Sequence, residues 1–239
     1  MRLKPIIKVS ENKNYLASWI IERFPEGYQN MVYIEPFVGS GGVLLNKDPS
    51  KEEVANDLDP GIIDVWRAVR DEPKPFMSKA KRMECKESTF QRLLKKKESD
   101  YLGRAANEFV LRQMSKSGLK KHFLPKDKNI KCKDCWCDVF EKIPAVSKRI
   151  ASVHFLDKDA VEILEAFSNK DTLAYCDPPS TKDPGMDSDK HVELGNILKN
   201  FKGKVVVSGH VTALYKRIYS GWNRKGVPSR PKECIWTNF

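Results

Sequence analysis

Residues 31–42 read MVYIEPFVGSGG, and this stretch decides the fold class of the 239-residue chain. A short β-prone run at 31–35 ends in a glycine-rich loop, and residues 43–46 are compatible with a helix. A strand, a glycine loop and a helix in series predict the first unit of an α/β sheet. Small loop residues at the carboxyl end of a strand let the backbone approach a ligand, although an ordinary strand-to-helix turn has the same pattern.

Alternating strand and helix patterns continue along the chain and predict a mostly parallel, doubly wound, Rossmann-like sheet. Further strand candidates are 53–57, 152–156, 172–176 and 204–208. Helix candidates beside them are 59–70, 160–167 and a segment near 214. Residues 74–150 show several helical patterns instead, at about 76–97, 101–116 and 138–150. We therefore expect one domain formed by 1–73 and 151–239, with 74–150 inserted between its second and third strands as a helical segment.

Charge is concentrated in that insertion. The whole chain carries a net charge of +11, and residues 74–150 alone hold 21 lysines and arginines against nine acidic residues. A local positive field suits a polyanion, so the segment predicts nucleic-acid binding, although a solvated lysine-rich helix face is the alternative. The candidate contacts to nucleic acid are Arg112, Lys116, Lys120 and Lys121.

Composition excludes several classes of protein. Hydrophobic residues make up 40% of the chain and charged residues 31%, which is typical of a globular protein rather than a disordered or fibrous one. No apolar run reaches the length of a membrane span, and the start of the sequence lacks the apolar segment of a signal peptide. We expect a cytoplasmic protein without a membrane partner.

Two acidic residues lie at the ends of predicted strands and are candidates for ligand binding or catalysis. Asp57 ends the second strand, where an acid can hold the ribose hydroxyls of an adenosine. Asp177-Pro178-Pro179-Ser180 follows the strand at 172–176. The two prolines fix the backbone and lack N–H donors. The carboxylate and the carbonyls are therefore suited to accept hydrogen bonds from an exocyclic amino group. A rigid loop at the exit of the strand is the simpler alternative.

The EPFVGSGG motif at 35–42, Asp57, Asp159 and Asp177-Pro178-Pro179 together resemble the Dam-type N6-adenine DNA methyltransferases, in the order of that family and over most of the chain. The resemblance implies methyl transfer from S-adenosyl-L-methionine to the amino group of an adenine flipped out of double-stranded DNA, without a metal. The implied cofactor-binding residues are Lys13, Glu35, Phe37, Gly39, Gly41, Asp57 and Asp159. The implied catalytic residues are Asp177, Pro178, Pro179 and Ser180. The resemblance also implies that 1–73 and 151–239 form the cofactor-binding catalytic domain and that 74–150 is an inserted helical DNA-recognition domain.

The chain departs from this family at two motifs. Ser180 stands where relatives carry an aromatic residue that stacks on the flipped base, and 11–13 read Glu-Asn-Lys instead of Gly-Gly-Lys. The rival hypothesis is therefore a catalytically weak or inactive homologue that acts as a DNA-binding module. An N4-cytosine or RNA base methyltransferase is a lesser alternative. An associated restriction endonuclease, typical of restriction-modification systems, and the oligomeric state are left open.

The cysteines predict reduced thiols rather than a disulfide framework, since six cysteines are unevenly spaced in a chain of this length. Cys132-x-x-Cys135-x-Cys137 has the spacing of zinc ligands, with His122 or Cys85 as a fourth partner. Without a second matched pair this pattern is modest, and we expect no metal.

Overall fold

The computed structural model of the protein describes residues 2–10, 12–124, 136–181 and 186–239. Its core is a seven-stranded sheet with the strand order β3-β2-β1-β4-β5-β7-β6. The strands are β1 (Val32–Glu35), β2 (Glu52–Asn56), β3 (Val153–Leu156), β4 (Thr172–Cys176), β5 (Lys204–His210), β6 (Asn223–Val227) and β7 (Arg230–Thr237).

The central strands form the parallel part of the sheet. In the registers, Ile34 of β1 lies opposite Val54 of β2 on one side and Ala174 of β4 on the other, and Cys176 of β4 lies opposite Val207 of β5. All five residues of β4 are buried, as expected for a strand covered on both faces. The predicted doubly wound, Rossmann-like sheet is confirmed.

Helices connect and follow these strands. They are α1 (Ala17–Ile21), α2 (Pro60–Asp71), α3 (Pro73–Lys81), α4 (Glu87–Lys95), α5 (Tyr101–Gln113), α6 (Cys137–Phe140), α7 (Ile143–Arg149), α8 (Ala160–Ala166), α9 (Ser188–Asn200) and α10 (Ala213–Ile218). Helices α2 to α7 all lie between β2 and β3, so the inserted helical segment is observed. The single helix expected at 76–97 is two helices, α3 and α4. Among the described residues, no helix has the length and apolarity needed to cross a bilayer.

The chain divides into two compact units. The first, which we call the helical unit, comprises residues 1–17, 39–46 and 59–155, and the second, the sheet unit, comprises 18–38, 47–58 and 156–239. The N-terminal segment and the glycine loop thus belong to the helical unit, whereas the sequence analysis set the boundaries at 74 and 150. A recognition role for 74–150 stays a prediction.

Aromatic and capping contacts hold the helical unit together. The carboxylate of Asp59 accepts a hydrogen bond from the Gly61 amide at 2.9 Å and caps α2. Buried Phe109 of α5 packs edge-on against Phe76 of α3, with ring centroids 5.4 Å apart, and stacks on Phe140 of α6 at 5.8 Å. These rings join helices that are distant in sequence.

The prediction of a helix after the glycine loop is wrong, because residues 42–46 form successive turns. Two backbone hydrogen bonds form there, from the Leu45 amide to the Gly41 carbonyl at 2.9 Å and from the Asn46 amide to the Val43 carbonyl at 3.0 Å, and they do not continue as an α-helical ladder. The Asn46 side chain donates to the carbonyls of Gly42 and Leu3, at 2.9 and 3.0 Å. A side-chain amide that bonds nearby backbone offers an alternative to the helix ladder, which explains the difference.

The prediction that the cysteines are reduced thiols is only partly correct. Cys176 and Cys234 are free, as predicted, and both are buried, but Cys85 and Cys137 are disulfide-bonded. Sequence spacing does not show which thiols meet in space. Cys132 and Cys135 of the hypothetical zinc site lie outside the described residues. Within the described part of the chain, no group of three or more His, Cys, Asp or Glu side chains is placed to hold a metal ion.

Candidate functional site

Three acidic residues of the sheet unit lie at one edge of the sheet. Glu35 is the last residue of β1, Asp57 follows β2, and Asp177 follows β4. These strands are neighbours and run parallel. Because the carboxyl ends of parallel strands meet at one edge, the three acids converge there, where ligands bind in open α/β sheets.

Asn56 ties the loops at this edge together. Its fully buried side-chain amide donates to the Pro36 carbonyl after β1 at 3.0 Å and to the Lys158 carbonyl after β3 at 2.9 Å. Its side-chain oxygen accepts from the Lys158 amide at 2.9 Å. The end of β2 is therefore fastened to both neighbouring loops. The sequence analysis gave Asn56 no role.

The residues around Asp57 combine polar and apolar groups. The Asp57 amide bonds the Leu156 carbonyl at 3.2 Å, and its side chain is partly exposed. Leu58, the next residue, is 68% exposed, the highest value among the large hydrophobic side chains of the described residues. Asp159 is exposed and caps α8, since its carboxylate accepts from the Val161 amide at 2.8 Å.

Glu35 and Phe37 form the part of the site that follows β1. Glu35 is 2% exposed and accepts a hydrogen bond from the Tyr33 hydroxyl at 2.8 Å. Burial, and then the Glu35 charge, raise the pKa of Tyr33, so this phenol remains a donor. Phe37 is half-buried and packs against the hydrophobic core of the sheet unit.

Asp177 is held by a chain of hydroxyl groups. The Ser208 hydroxyl on β5 donates to Asp177 Oδ1 at 2.7 Å, and the Tyr175 hydroxyl lies 2.8 Å from Ser208 Oγ. Because the Ser208 proton points to the carboxylate, Tyr175 must be the donor of the second bond. Burial, followed by the Asp177 charge, raises the pKa of Tyr175 and keeps it protonated. Sequence reasoning gave neither hydroxyl a role.

The rest of the Asp-Pro-Pro-Ser segment is partly open to solvent. Pro178 is buried against the sheet unit, Pro179 is exposed and Ser180 is half-buried. The segment has no regular secondary structure. With φ fixed at two successive residues, the backbone that follows Asp177 is rigid.

The glycine loop lies in the helical unit and has little room for side chains. Gly39 and Gly41 have φ angles of +46° and +66°. A Cβ atom on Gly41 would come within 2.9 Å of the Trp66 ring of α2, and the same indole donates to the Gly39 carbonyl at 3.0 Å. Trp66, which lies within the helix predicted at 59–70, thus fixes the backbone of the loop.

The N-terminal segment completes this part of the helical unit. Lys13 is 9% exposed, and a Cβ atom on Gly42 would come within 2.9 Å of the Asn14 backbone. A cavity of about 210 Å³ opens beside the loop and is lined by Asn12, Asn14, Ser40, Gln113, Val139 and residues 5–9.

The four predicted DNA-binding residues fall into two groups. Arg112 is 6% exposed, and its guanidinium contacts Asp59 Oδ2 and Glu108 Oε1 at 2.6 Å each. Lys120 also binds Glu108, at 2.7 Å. Lys116 and Lys121 are exposed. The structure therefore brings Arg112 and Lys120 into a charge cluster within the helical unit and leaves Lys116 and Lys121 on the surface.

The segment that carries these lysines has an unusual backbone. Ser117, Gly118 and Lys120 have φ angles of +54°, +70° and +58°. A Cβ atom on Gly118 would overlap the Lys8 carbonyl oxygen, at 1.9 Å. Positive φ is unfavourable for non-glycine residues, and the Lys120 side chain of this turn is held by Glu108 at 2.7 Å.

The sheet topology defines an α/β protein with three acids at the carboxyl edge of its strands. Comparison with known proteins identifies the class. The model of the D12 class N6 adenine-specific DNA methyltransferase family matches residues 12–229. The chain is 25% identical to a DNA adenine methylase of Haemophilus influenzae, over 95% of this chain and 86% of that relative. It is 24% identical to a DNA adenine methylase of Vibrio cholerae serotype O1, over 91% and 85%.

The chain therefore belongs to the D12 class N6 adenine-specific DNA methyltransferase family, as its motifs predicted. DNA is the substrate of this family, and S-adenosylmethionine is in general the methyl donor of methyltransferases. Among solved structures, the Escherichia coli protein yhhF aligns with 98% of this chain and 89% of its own, at 10% identity and a TM-score of 0.38.

Proposed function

We propose that this protein transfers the methyl group of S-adenosylmethionine to the N6 amino group of adenine in DNA, with Asp177 and the Pro178 carbonyl as hydrogen-bond acceptors for that amino group. The observation that carries the proposal is the placement of Asp177. It follows β4 directly, at the ligand-binding edge of the sheet, and Ser208 holds its Oδ1 at 2.7 Å. A fixed carboxylate favours a single orientation of the amino group.

The chemistry needs an acceptor for the amino protons rather than a strong base. When bound, S-adenosylmethionine supplies a methyl group that is electrophilic because the sulfonium leaves as a neutral thioether. Asp177 draws the N6 hydrogen toward itself, so the nitrogen lone pair becomes more available to form the new carbon–nitrogen bond. The surplus N6 proton then passes to Asp177 or to water.

The chain has groups that fit the cofactor in each unit. In the sheet unit, the Asp57 carboxylate would bind the ribose hydroxyls, and exposed Leu58 would pack on the adenine ring. Asp159 would contribute at the N-terminus of α8, beside the same ring. Glu35 and Phe37 would border this pocket.

In the helical unit, the glycine loop and Lys13 would hold the methionine end of the cofactor. The steric crowding at Gly41 supports this assignment, because a backbone without side chains can approach a ligand closely. Lys13 keeps its place although the two glycines that precede the lysine in relatives are replaced.

The helices of residues 74–150 would bind DNA. Exposed Lys116 and Lys121 are the residues suited to phosphate contacts, whereas Arg112 and Lys120 would hold the turn between them. Lysine contacts to phosphate add affinity that falls with salt and carries no sequence information.

Asp177→Asn tests the catalytic assignment, because asparagine keeps the shape and removes the charge. We expect methyl transfer to fall by at least about a hundredfold, the magnitude typical of losing one preorganised electrostatic contact. Cofactor affinity, measured by calorimetry, should stay unchanged. The matched control is Asp171→Asn, an exposed acid before β4, which should retain full activity. Wild-type turnover by Asp177→Asn would disprove the role.

Ser180 favours a second candidate, a homologue that binds DNA with little or no transfer. A hydroxyl cannot stack on a base, and such stacking contributes about 1–3 kcal/mol. In that case the wild-type protein binds both cofactor and DNA but forms no product, and Ser180→Tyr restores transfer. If the wild type does form product, a slower Ser180→Tyr variant would indicate a pocket adapted to serine.

A further inference from the structure

The β6–β7 hairpin extends beyond the ligand-binding edge of the sheet unit. Strand β7 runs antiparallel to β5, with His210, the last residue of β5, opposite Glu233. The Val211 amide bonds the Lys232 carbonyl at 2.8 Å. Residues 227–231 therefore lie past the end of β5. At about 3.4 Å per residue, the hairpin tip projects roughly 10 Å beyond that end.

Asp177 lies close to this projection. Its hydrogen bond to Ser208 places it level with that residue, and Ser208 lies opposite Ile235 of β7. Because β4, β5 and β7 are consecutive strands, Asp177 is two strand spacings, about 10 Å, from β7. Lys225 of β6 pairs with Ile235 and is level with Asp177 too.

The hairpin is strongly basic. Its exposed charged side chains are those of Arg224, Lys225, Arg230 and Lys232. The acid in this hairpin, Glu233, is 7% exposed and lies 3.7 Å from Arg230. The exposed charge is therefore positive. It lies outside 74–150, the segment to which the charge of the sequence drew attention.

We propose that the β6–β7 hairpin binds the phosphate backbone of the DNA duplex whose target base reaches Asp177. This inference rests on the proposed function for the identity of the duplex. A base at Asp177 brings its own phosphates and those of adjacent nucleotides within the distance that the hairpin tip spans. Arg230 and Lys232 lie nearest that tip, and both can make charge-assisted hydrogen bonds to phosphate oxygens.

The test is the double variant Arg230→Gln with Lys232→Gln in the full-length protein. Affinity for a duplex oligonucleotide is measured from about 50 to 300 mM salt, by anisotropy. The matched control is Lys170→Gln with Lys202→Gln. It removes two exposed lysines of the same unit that precede β4 and β5, at the opposite edge of the sheet.

We expect the hairpin variant to bind DNA about tenfold more weakly near 0.1 M salt. The slope of log affinity against log salt should become less steep by about one to two, since each lost phosphate contact contributes about 0.9. Cofactor affinity should be unchanged, and KM for DNA should rise more than kcat falls. The control should match the wild type in DNA affinity, salt slope, cofactor affinity, KM and kcat.

Equal salt slopes for the hairpin variant, the control and the wild type would overturn the inference, even if the wild type methylates DNA. A reduced slope in the hairpin variant alone would support the hairpin contact. If the wild type forms no methylated base but shows this reduced slope, the contact stands while the catalytic proposal fails. The two proposals are thus separated by measuring binding and product independently.

Discussion

The Asp177 carboxylate receives a hydrogen bond from Ser208, which in turn is bonded to Tyr175. Both hydroxyls are buried, so this chain is shielded from competing water. Hydrogen bonds to a carboxylate favour its ionised form and fix its orientation. In the proposed reaction, Ser208 and Tyr175 would be positioning residues that act through Asp177.

Ser208→Ala should lower kcat by about ten- to a hundredfold, since a hydrogen bond to a charged group contributes about 1.5–3 kcal/mol. Cofactor affinity should change little. Ser208→Thr keeps the hydroxyl and should recover most of the loss. Tyr219→Phe is the control, because Tyr219 has a buried hydroxyl without a hydrogen-bond partner in the described structure. Equal kinetics for Ser208→Ala and Tyr219→Phe would refute the positioning role.

Gly41→Ala should destabilise the protein for two reasons, the positive φ angle and the contact with Trp66 at 2.9 Å. Gly221→Ala separates the two, since Gly221 has a φ angle of +86° but nothing within 4 Å of the added Cβ. We expect Gly221→Ala to cost about 1–2 kcal/mol of unfolding free energy in chemical denaturation and Gly41→Ala to cost more. The contact with Trp66 is unimportant if the two variants lose the same stability.

At the scale of elements, the ends of β1, β2 and β3 are joined through the Asn56 side chain. Asn56→Asp replaces an amide donor with a carboxylate that faces two carbonyl oxygens. We expect a loss of about 2–4 kcal/mol in unfolding free energy and weaker cofactor binding, because the buried charge keeps only the Lys158 amide as a donor while its other oxygen faces the two carbonyls. The measurements are urea denaturation and calorimetry.

Asn200→Asp is the matched control for this variant. Asn200 also donates its side-chain amide to a carbonyl, that of Asn196 at 3.0 Å, but on the exposed surface of α9. Its replacement should cost well under 1 kcal/mol. A similar cost at both positions would show that Asn56 does not organise the strand ends.

Local sequence patterns predicted those elements whose hydrophobic periodicity is strong. The strand at 172–176 was predicted with its observed bounds, and α2 begins one residue after its predicted start. The prediction of a short helix after the glycine loop was wrong because the Asn46 side chain competes for backbone carbonyls. The β6–β7 hairpin was missed because an edge strand with four exposed residues out of five lacks the alternation that marks a strand.

The same limit applies to the candidate site. Asp57 and Asp177 could be placed from the sequence because each follows a recognisable strand. The sequence could not distinguish Arg112, a buried cation, from Lys116, an exposed one, since it does not show that Glu108 and Asp59 bind the Arg112 guanidinium. Ser208 and Asn56 act through contacts between strands that are distant along the chain, and no short motif encodes such contacts.

For the whole molecule, family membership and the placement of the acids lead to one claim, adenine methylation with Asp177 as the acceptor for the amino group. The positive charge of the helical unit and of the β6–β7 hairpin suits a DNA substrate. The rival, a DNA-binding homologue without transfer, shares these charges and differs only in the product.

The most direct test is to incubate the purified protein with unmethylated DNA and S-adenosylmethionine and to quantify the modified nucleosides by mass spectrometry. Asp177→Asn, treated in the same way, provides the background. The account predicts N6-methyladenine from the wild-type protein and a loss of at least about a hundredfold in the variant. The absence of any methylated base, with cofactor and DNA both bound, would contradict it.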